Sequence, residues 1–495
     1  MISSVLILGG GSAGLTAAIT LKRALPHLDV RVVRSTELGV IGVGEGTTAY
    51  FKTHFFKNLA LNPKKFYEEA QPTWKLGIRF LWGKNSDFYY SFSNEFDKRL
   101  EGLSRNPGFY TDHETRFHGV TTACMHHDRA FPRRADGAPD LSASHAFHVE
   151  NEKLVKWLEN TSRALGVKFT DDKVENVEMD GPAVGSLHLE GGERLKADLY
   201  IDASGFRSEL LSKALGEAWV NYSDTLFCDR AVIGGWERTG EPIHPYTIAE
   251  TMDAGWCWQI EHETWINRGY VYSSRFISDE DALNEFRRKN PKVPEQPRVV
   301  KFRSGRTQRS WVGNVVGIGN ASGFVEPLEA TALHHICVQC RRVGAILMDS
   351  FCDPSPMMVD LYNEANSQSW DEIRDFLAVH YAFNDKLDTP FWKECRDQTP
   401  LRKAEEIVRF YRENGPTSFS SGYLMASNNS FGLSGYLAML VGQRLPHSKP
   451  YQPSPKELQV WKKHLSAAEK RAKNGLTVGE ALKIVRSPGW KWSQV

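Results

Sequence analysis

Apolar residues alternate with polar or small residues over residues 72–83. Successive side chains of a β-strand point to opposite faces, so one face of the predicted strand is apolar and consists of Trp74, Leu76, Ile78, Phe80 and Trp82. The opposite face carries Thr73, Lys75, Gly77 and Arg79. Because Gly77 has no side chain, we expect a gap between the two cations that a small anion or a planar ring can approach. The alternative is a half-buried strand whose charges are solvated.

A glycine-rich turn stands between a predicted strand and a predicted helix near the start of the chain. Residues 5–8 predict a buried strand, and an apolar-periodic helix runs on to Leu21. Between them, residues 9–14 read GGGSAG, which is GxGxxG in the strand–turn–helix context of dinucleotide binding. Gly9 allows the tight turn, Gly11 allows close approach of a pyrophosphate, and Gly14 allows the helix to pack on the strand. The phosphates are then expected at the N-terminus of the helix.

The end of the second predicted strand leaves the identity of the dinucleotide open. Residues 30–33 predict this strand, which usually ends in an acid that binds the ribose hydroxyl. Arg34 stands at that place, and an arginine there accommodates the 2′-phosphate of NADP. Glu37 is near enough to replace the missing acid. Residues 42–48 read GVGEGTT, a loop that is able to lie against a flat ring.

The remaining patterns predict a β-rich middle and a helical end. In chain order we predict an aromatic-rich substrate-side insertion over residues 85–147, a helix over residues 148–165, an apolar strand within residues 197–205, strands over residues 227–277, and helices beyond about residue 354. The segment 197–205 ends in small residues, which suits contact between its backbone and a nucleotide.

A further strand leads into a helix in the middle of the chain. Residues 315–321 predict the strand, and residues 322–332 open the helix. Pro327 suits a first helical turn, and Glu326 and Glu329 lie where the helix dipole favours negative charge. If Glu329 has no catalytic role, the alternative is that its negative charge only complements the helix dipole.

Composition and charge exclude several classes of function. The chain has 61 Lys and Arg and 60 Asp and Glu, so its net charge is +1. It has no basic run long enough to follow a phosphate backbone, so a nucleic-acid partner is not predicted. The sequence has no apolar run of about 18 residues and no signal peptide, which predicts no membrane and a cytoplasmic location. The seven cysteines are scattered and fit free thiols in a reducing compartment. Cys337 and Cys340 form a CxxC within a helical pattern, which favours buried helix cysteines over a redox pair. The histidines of the insertion match no common zinc spacing, so no metal is predicted.

Several of these segments, in this order, resemble the flavin-dependent halogenases of the tryptophan halogenase family. The matching motifs lie across roughly residues 1–445 and are GGGSAG at 9–14, GVGEGTT at 42–48, the strand of Lys75, IDASGFR at 201–207, GWCWQI at 255–260, GFVEPLEAT at 323–331, IRDFLAVHY at 373–381 and DTPFW at 388–392. The combination of the lysine strand, the tryptophan pair and FVEPLE is specific.

The resemblance implies an α/β fold of the FAD-binding GxGxxG type (glutathione-reductase/PHBH-like), with a β-rich substrate insertion and a helical C-terminal region. It implies an FAD-binding module over residues 1–350, interleaved with insertions at about 85–147 and 210–300, and a helical substrate-side region over residues 351–495. The implied function is FADH2-dependent halogenation, in which O2 and a halide ion (chloride or bromide) give hypohalous acid that halogenates an electron-rich aromatic such as an indole. A separate flavin reductase supplies the reduced flavin, and a homodimer is left open.

The resemblance also assigns site residues. Lys75 and Glu329 correspond to the catalytic lysine and glutamate, and the backbone amides of Thr331 and Ala332 are expected to hold the halide. The residues expected at FAD are Gly9, Gly11, Ser12, Ala13, Gly14, Arg34, Gly42, Val43, Gly44, Glu45, Gly319 and Phe324.

Three departures from the family pattern stand at or near these sites. Glu261 replaces the proline of WxWxIP, Ala330 replaces the serine that follows the catalytic glutamate, and Arg34 replaces an acid. In addition, residues 428–436 lack the aromatic-rich pattern with which tryptophan-specific members bind the amino acid, so we expect a substrate other than free tryptophan. Two other functions are weighed against a halogenase. They are a single-component FAD-dependent aromatic hydroxylase, which takes electrons directly from NAD(P)H, and a non-catalytic flavin-binding redox sensor.

Overall fold

The computed structural model describes residues 1–38, 44–84, 87–93, 96, 100–111, 118–294, 297–419, 424 and 429–492. The chain divides into two compact units. Unit 1 comprises residues 1–71, 149–222 and 303–371, and unit 2 comprises residues 72–148, 223–302 and 372–495. This division does not test the predicted module boundary at residue 350, which stays a prediction. Gly42 and Val43 lie outside the described residues.

The strands of the described residues are, in chain order, β1 (Ser4–Leu8), β2 (Asp29–Arg34), β3 (Glu45–Gly46), β4 (Thr73–Lys75), β5 (Gly77–Leu81), β6 (Phe88–Ser91), β7 (Ala146–Val149), β8 (Lys168–Asp171), β9 (Val174–Asp180), β10 (Ala183–Leu189), β11 (Arg194–Leu195), β12 (Leu199–Asp202), β13 (Trp219–Asn221), β14 (Arg230–Glu237), β15 (Thr247–Met252), β16 (Gly255–Glu261), β17 (Trp265–Tyr272), β18 (Arg298–Lys301), β19 (Gly305–Thr307), β20 (Trp311–Val312), β21 (Val315–Gly317) and β22 (Gly323–Phe324).

The helices of the described residues are α1 (Ser12–Ala24), α2 (Tyr50–Lys52), α3 (Pro63–Glu69), α4 (Gly108–Thr111), α5 (Val120–His126), α6 (Asn151–Ala164), α7 (Asp279–Lys289), α8 (Thr331–Asp349), α9 (Pro356–Ala382), α10 (Pro390–Gln398), α11 (Ala404–Asn414), α12 (Gly432–Gly442), α13 (Pro455–Lys473) and α14 (Val478–Val485). The predicted helical C-terminal region is therefore present. None of the helices in the described ranges is long and apolar enough to cross a bilayer.

A six-stranded sheet organises unit 1, in the order β20-β21-β12-β1-β2-β8. All its pairs are parallel except β20 with β21. The apolar residues of β1 are buried, as expected for an inner strand of a parallel sheet with both faces covered. Helix α1 packs against α6 and α8. The carboxyl ends of β1, β2, β12 and β21 meet at one edge, where open α/β sheets bind ligands.

A seven-stranded sheet organises unit 2, in the order β18-β14-β17-β16-β15-β5-β6. The predicted strand over residues 72–83 is divided into β4 and β5, because the chain changes partners at Leu76. The N–H of Leu76 donates to the carbonyl of Pro245 at 2.7 Å, and its carbonyl accepts from the N–H of Phe92 at 2.9 Å. Strand β4 instead pairs antiparallel with β7. The predicted alternation holds across the division, since all five large apolar side chains of this segment are buried.

The structure excludes one alternative and corrects one prediction about these strands. The alternative of a solvated polar face fails at Thr73 and Lys75, which are as buried as the apolar face, whereas Arg79 is partly exposed. The helix predicted from residue 148 begins at Asn151, because His148 belongs to β7 and pairs with Thr73. Glu150 has an extended backbone (φ −72°, ψ 130°) and separates this strand from the helix.

Candidate functional site

The predicted dinucleotide turn is built by close backbone approaches at the carboxyl end of β1. Gly9 has φ 126°, and a Cβ there would lie 2.2 Å from the carbonyl oxygen of Ala203. A Cβ at Gly14 would lie 2.0 Å from the carbonyl oxygen of Gly9. Both positions therefore require glycine to bring β1, α1 and the end of β12 together.

The same turn has room for a pyrophosphate. A Cβ added at Gly11 would meet no atom of the described residues within 4 Å. Gly11 is the N-cap of α1, and among the described residues no side chain caps this helix. The first amides of a helix have no acceptor within the helix and attract anions. Ser12 and Ala13 supply amides of this first turn. The residues present thus fit the diphosphate of a dinucleotide such as FAD.

Gly319 and Phe324 lie on later segments of unit 1. A Cβ at Gly319 (φ 63°) would lie 3.1 Å from the Cβ of Ala13, which places residue 319 beside the first turn of α1. Phe324, in β22, packs its ring against Phe206 with 4.9 Å between ring centres. The structure therefore brings Gly319 to the nucleotide turn, and the contact of Phe324 with FAD stays a prediction.

Arg34 ends β2, where the acid that binds ribose usually stands. Its guanidinium forms an ion pair with Glu159 and lies 5.6 Å from the centre of the Phe169 ring. A Cβ added at Gly10 would lie 2.7 Å from the Cβ of Arg34. The stem of Arg34 thus packs under the glycine turn while a protein carboxylate neutralises its charge, and this arrangement disfavours the reading of a 2′-phosphate.

The loop that contains Gly44 and Glu45 is described only from Gly44 onward. Gly44 has φ 81°, a conformation that favours glycine. Burial raises the pKa of the Glu45 carboxyl to about 7. Three residues further, Thr48 Oγ1 lies 2.9 Å from Nδ1 of His334 in the first turn of α8. This hydrogen bond joins the predicted flavin loop to the predicted halide site.

Glu329 ends a short 3₁₀ turn, Pro327–Glu329, and its side chain is buried. Helix α8 begins two residues later. The glutamate therefore precedes the helix, whereas the sequence had suggested that it lies within the first helical turn. Ala330 between them has φ 55° and ψ 39°, a left-handed conformation that is costly for alanine. Within the described residues, no side chain caps α8, so the amides of Thr331 and Ala332 suit an anion.

Lys75 ends β4 in unit 2 and is fully buried. Its Nζ lies 5.4 Å from the centre of the Phe92 ring. The predicted gap beside it is absent at Gly77, because a Cβ there would lie 2.1 Å from the carbonyl oxygen of Tyr90 in β6. Gly77 therefore allows two backbones to approach and makes no space for a ligand. Arg79 is held by Asp87, with 2.7 Å from Nε to Oδ2.

Sequence reasoning missed His148 as a neighbour of this lysine. His148 is opposite Thr73 in the β4–β7 pair and its Nε2 lies 2.8 Å from Oγ1 of Thr247. The pKa of its imidazole is well below the usual value, because the ring is buried and because the Lys75 ammonium and His262 lie near it. The sequence offered little signal, because residues 146–149 read Ala-Phe-His-Val without alternation and adjoin a helical pattern.

Comparisons with known proteins agree with one another. The family model described as tryptophan halogenase matches residues 4–456. Tryptophan 7-halogenase RebH of Lentzea aerocolonigenes is 30% identical over 92% of this chain and 91% of its own length. Tryptophan 6-halogenase SttH of Streptomyces toxytricini is 33% identical over 82% of this chain and 83% of its own. The crystal structure of MibH, described as a lathipeptide tryptophan 5-halogenase, is 37% identical with a TM-score of 0.89 and covers 98% of this chain and 93% of its own.

Proposed function

This chain belongs to the tryptophan halogenase family, and from that premise we propose that it uses FADH2, O2 and a halide ion to halogenate an indole. As a flavin-dependent halogenase it is an enzyme that needs a separate flavin reductase. Family membership sets aside the single-component hydroxylase and the non-catalytic redox sensor. The observation that carries the chemistry is the full burial of Lys75 beside an aromatic ring, because lysine side chains are rarely buried and this one stands at the position of the family's catalytic lysine.

The residues of unit 1 take the binding roles. The amides at the start of α1 hold the diphosphate of FAD. When bound, reduced FAD would supply two of the four electrons that O2 accepts and the halide would supply the other two, so that the products are hypohalous acid, FAD and water. The amides of Thr331 and Ala332 hold the halide for this oxidation, because the first turn of α8 favours an anion.

Lys75 and Glu329 take the catalytic roles. The Lys75 amine hydrogen-bonds the hypohalous acid or takes its halogen as a haloamine, with water leaving. The halogen then passes to a ring carbon of the substrate. The carboxylate of Glu329 accepts the proton that this carbon loses, as a positioned general base. From the haloamine, this second step gives an aryl halide and, once the nitrogen has regained a proton, the free amine. From the hydrogen-bonded hypohalous acid, it gives an aryl halide and water.

We propose that the indole is part of a larger molecule and has no free amino-acid head group. Segment 428–436 departs from the tryptophan-specific pattern, and the residues at its end pack in the core. Phe431 stacks on Phe376 with 3.9 Å between ring centres, and Tyr436 is buried against the same ring at 4.9 Å. Both aromatic side chains pack on the Phe376 ring, and the proposal assigns neither of them to an ammonium or carboxylate group. The 37% identity to a lathipeptide tryptophan halogenase supports the same substrate class.

Mass spectrometry tests the proposal in a mixture of enzyme, flavin reductase, FAD, NADPH and either chloride or bromide. Indole, N-acetyltryptophan amide and free tryptophan compete at equal concentration, and we expect halogenation of the first two to exceed that of tryptophan. A large preference for tryptophan would overturn the substrate class, and no halogenated product from any of them would count against the reaction. Without reductase, the protein should bind FAD and oxidise NADPH negligibly.

The proposal includes a cytoplasmic location. The enzyme depends on a reductase for its flavin, and the seven cysteines are all buried in the protein. Such thiols suit a reducing compartment.

A further inference from the structure

Glu261 stands where the family motif has a proline, and the structure gives its carboxylate a specific environment. The side chain is fully buried at the end of β16. It forms an ion pair with Arg238, which is itself nearly buried. The side-chain amide of Gln259 donates to Glu261 Oε1 at 2.6 Å. A buried carboxylate persists only when it is paired and hydrogen-bonded in this way.

Arg238 uses its remaining donors to hold backbone around this carboxylate. Its Nη2 donates to the carbonyl of His262 at 2.9 Å, and its Nη1 donates to the carbonyls of Glu241 and Pro242 at 3.0 and 2.8 Å. The planar guanidinium thus fixes three carbonyl groups and one carboxylate at once, which lysine is unable to do. The end of β16 is held as a rigid point.

The strand of the catalytic lysine is attached to this point. The hydroxyl of Thr73 donates to the main-chain carbonyl of Glu261 at 2.5 Å. Thr73 lies two residues before Lys75 in the three-residue strand β4, so the two side chains share a face. Because β4 is short, a bond at its first residue constrains the position of its last.

We propose that Glu261 and Arg238 are positioning residues for Lys75, and that their buried ion pair holds strand β4 through Thr73. The inference rests on the proposed catalytic role of Lys75. It gives a function to Glu261, which stands where the family motif has a proline: its side-chain ion pair restrains the backbone at the end of β16.

Single and double variants of Arg238 and Glu261 test the positioning role of the ion pair. Removing one partner of a buried ion pair leaves an uncompensated charge, whereas removing both is often tolerated. We therefore compare Arg238→Met, Glu261→Gln and the double variant. The matched control is Arg486→Met, which breaks the half-exposed ion pair of Glu263, two residues beyond Glu261. Each is assayed as the FAD-loaded enzyme with reductase, for halogenated product per FADH2 consumed, for kcat and KM of the aromatic substrate, and for FAD affinity.

Arg238→Met should lower product per FADH2 by about tenfold or more, since a displacement of about 1 Å costs up to about 10²-fold. The loss should appear as a lower kcat while KM and FAD affinity are retained. The double variant should regain stability, because no uncompensated charge remains, but not yield, because the strand has lost its anchor. Arg486→Met should match the wild type. If folded, FAD-loaded Arg238→Met couples as well as the wild type, the inference is wrong. Should Arg238→Met fail to fold, Arg238→Lys decides by the same criteria, because it keeps the charge and loses the planar fork.

Lys75→Ala in the same assay separates the two levels of the argument. If Lys75→Ala loses product while Arg238→Met does not, only the positioning role fails. If Lys75→Ala keeps its product, the proposed catalytic role fails as well.

Discussion

The hydroxyl of Thr48 lies 2.9 Å from Nδ1 of His334, so that the segment after Glu45 is bonded to the first turn of α8. The two residues are 286 positions apart. Burial lowers the pKa of His334 to about 4, so the imidazole is neutral at neutral pH and this bond joins two uncharged groups. It places the predicted flavin loop at a fixed distance from the amides of Thr331 and Ala332.

Thr48→Val should therefore weaken halide use. A hydrogen bond between neutral groups contributes about 0.5–1.5 kcal/mol, which corresponds to about a two- to tenfold rise in the halide concentration that gives half-maximal product. His334→Phe should give a similar rise. Thr161→Val, which removes a hydroxyl bonded within α6, serves as the control. An unchanged halide dependence in Thr48→Val would show that the loop and the halide site act independently.

Glu45 should make the stability of the flavin-free protein depend on pH. Its pKa is about 7 in the folded protein against 4.5 as the usual value, so between these values the folded state binds a proton that the unfolded chain has released. Stability then falls as pH rises through this window and stays lower above it. At about pH 8.5, Glu45→Gln should raise the free energy of unfolding by up to about 2 kcal/mol and raise the melting temperature accordingly. At about pH 4.5 the substitution should have little effect on either quantity. An equal effect at both pH values would contradict the raised pKa of this carboxyl.

Two glycines of the nucleotide turn should respond differently to the same substitution. Gly14→Ala places a Cβ 2.0 Å from the carbonyl oxygen of Gly9 and should destabilise the flavin-free protein by about 1–3 kcal/mol or more. Gly11→Ala meets only open space, so the melting temperature of the flavin-free protein should be unchanged. The added Cβ should collide with the pyrophosphate and raise the FAD dissociation constant by about tenfold or more. A steric cost of about 1.4 kcal/mol is enough for a tenfold change. Calorimetry and FAD titration distinguish the two, and normal FAD binding by Gly11→Ala would place the pyrophosphate elsewhere.

The nucleotide turn and the residues around Glu329 were predictable, because their chemistry resides in contiguous motifs. Gly9, Gly11 and Gly14 act through backbone geometry that their spacing already implies. Residues 322–332 predicted a strand that leads into a helix, although α8 begins only at Thr331, after a separate turn over residues 327–329. The support around Lys75 was not predictable in the same way. The pairing of His148 with Thr73 depends on strand register, and the pairing of Glu261 with Arg238 depends on how a loop folds back on β16. The gap expected at Gly77 failed for the same reason, since β6 occupies it.

Glu329→Gln keeps the shape of the side chain and removes the charge that accepts a proton. Product formation should fall by about 10²-fold, within the range for a positioned acid–base group. FAD affinity should be retained, because the nucleotide turn lies at the end of β1. Glu209→Gln, which changes a partly exposed acid paired with Lys213, is the control. Near wild-type turnover would leave Glu329 only its electrostatic role beside the helix.

The most direct test of the account is halogenated product per FADH2 consumed in Lys75→Ala. The variant removes the group that receives the halogen, and water is unable to replace it as a halogen relay. FAD binding and the reaction of reduced flavin with O2 should continue, because the nucleotide turn is intact. Lys84→Ala, an exposed lysine of the same unit paired with Asp385, controls for the loss of a cation. The account predicts that product disappears in Lys75→Ala while FADH2 is still oxidised. Product at near wild-type yield would contradict the assignment of this buried lysine as the catalytic centre.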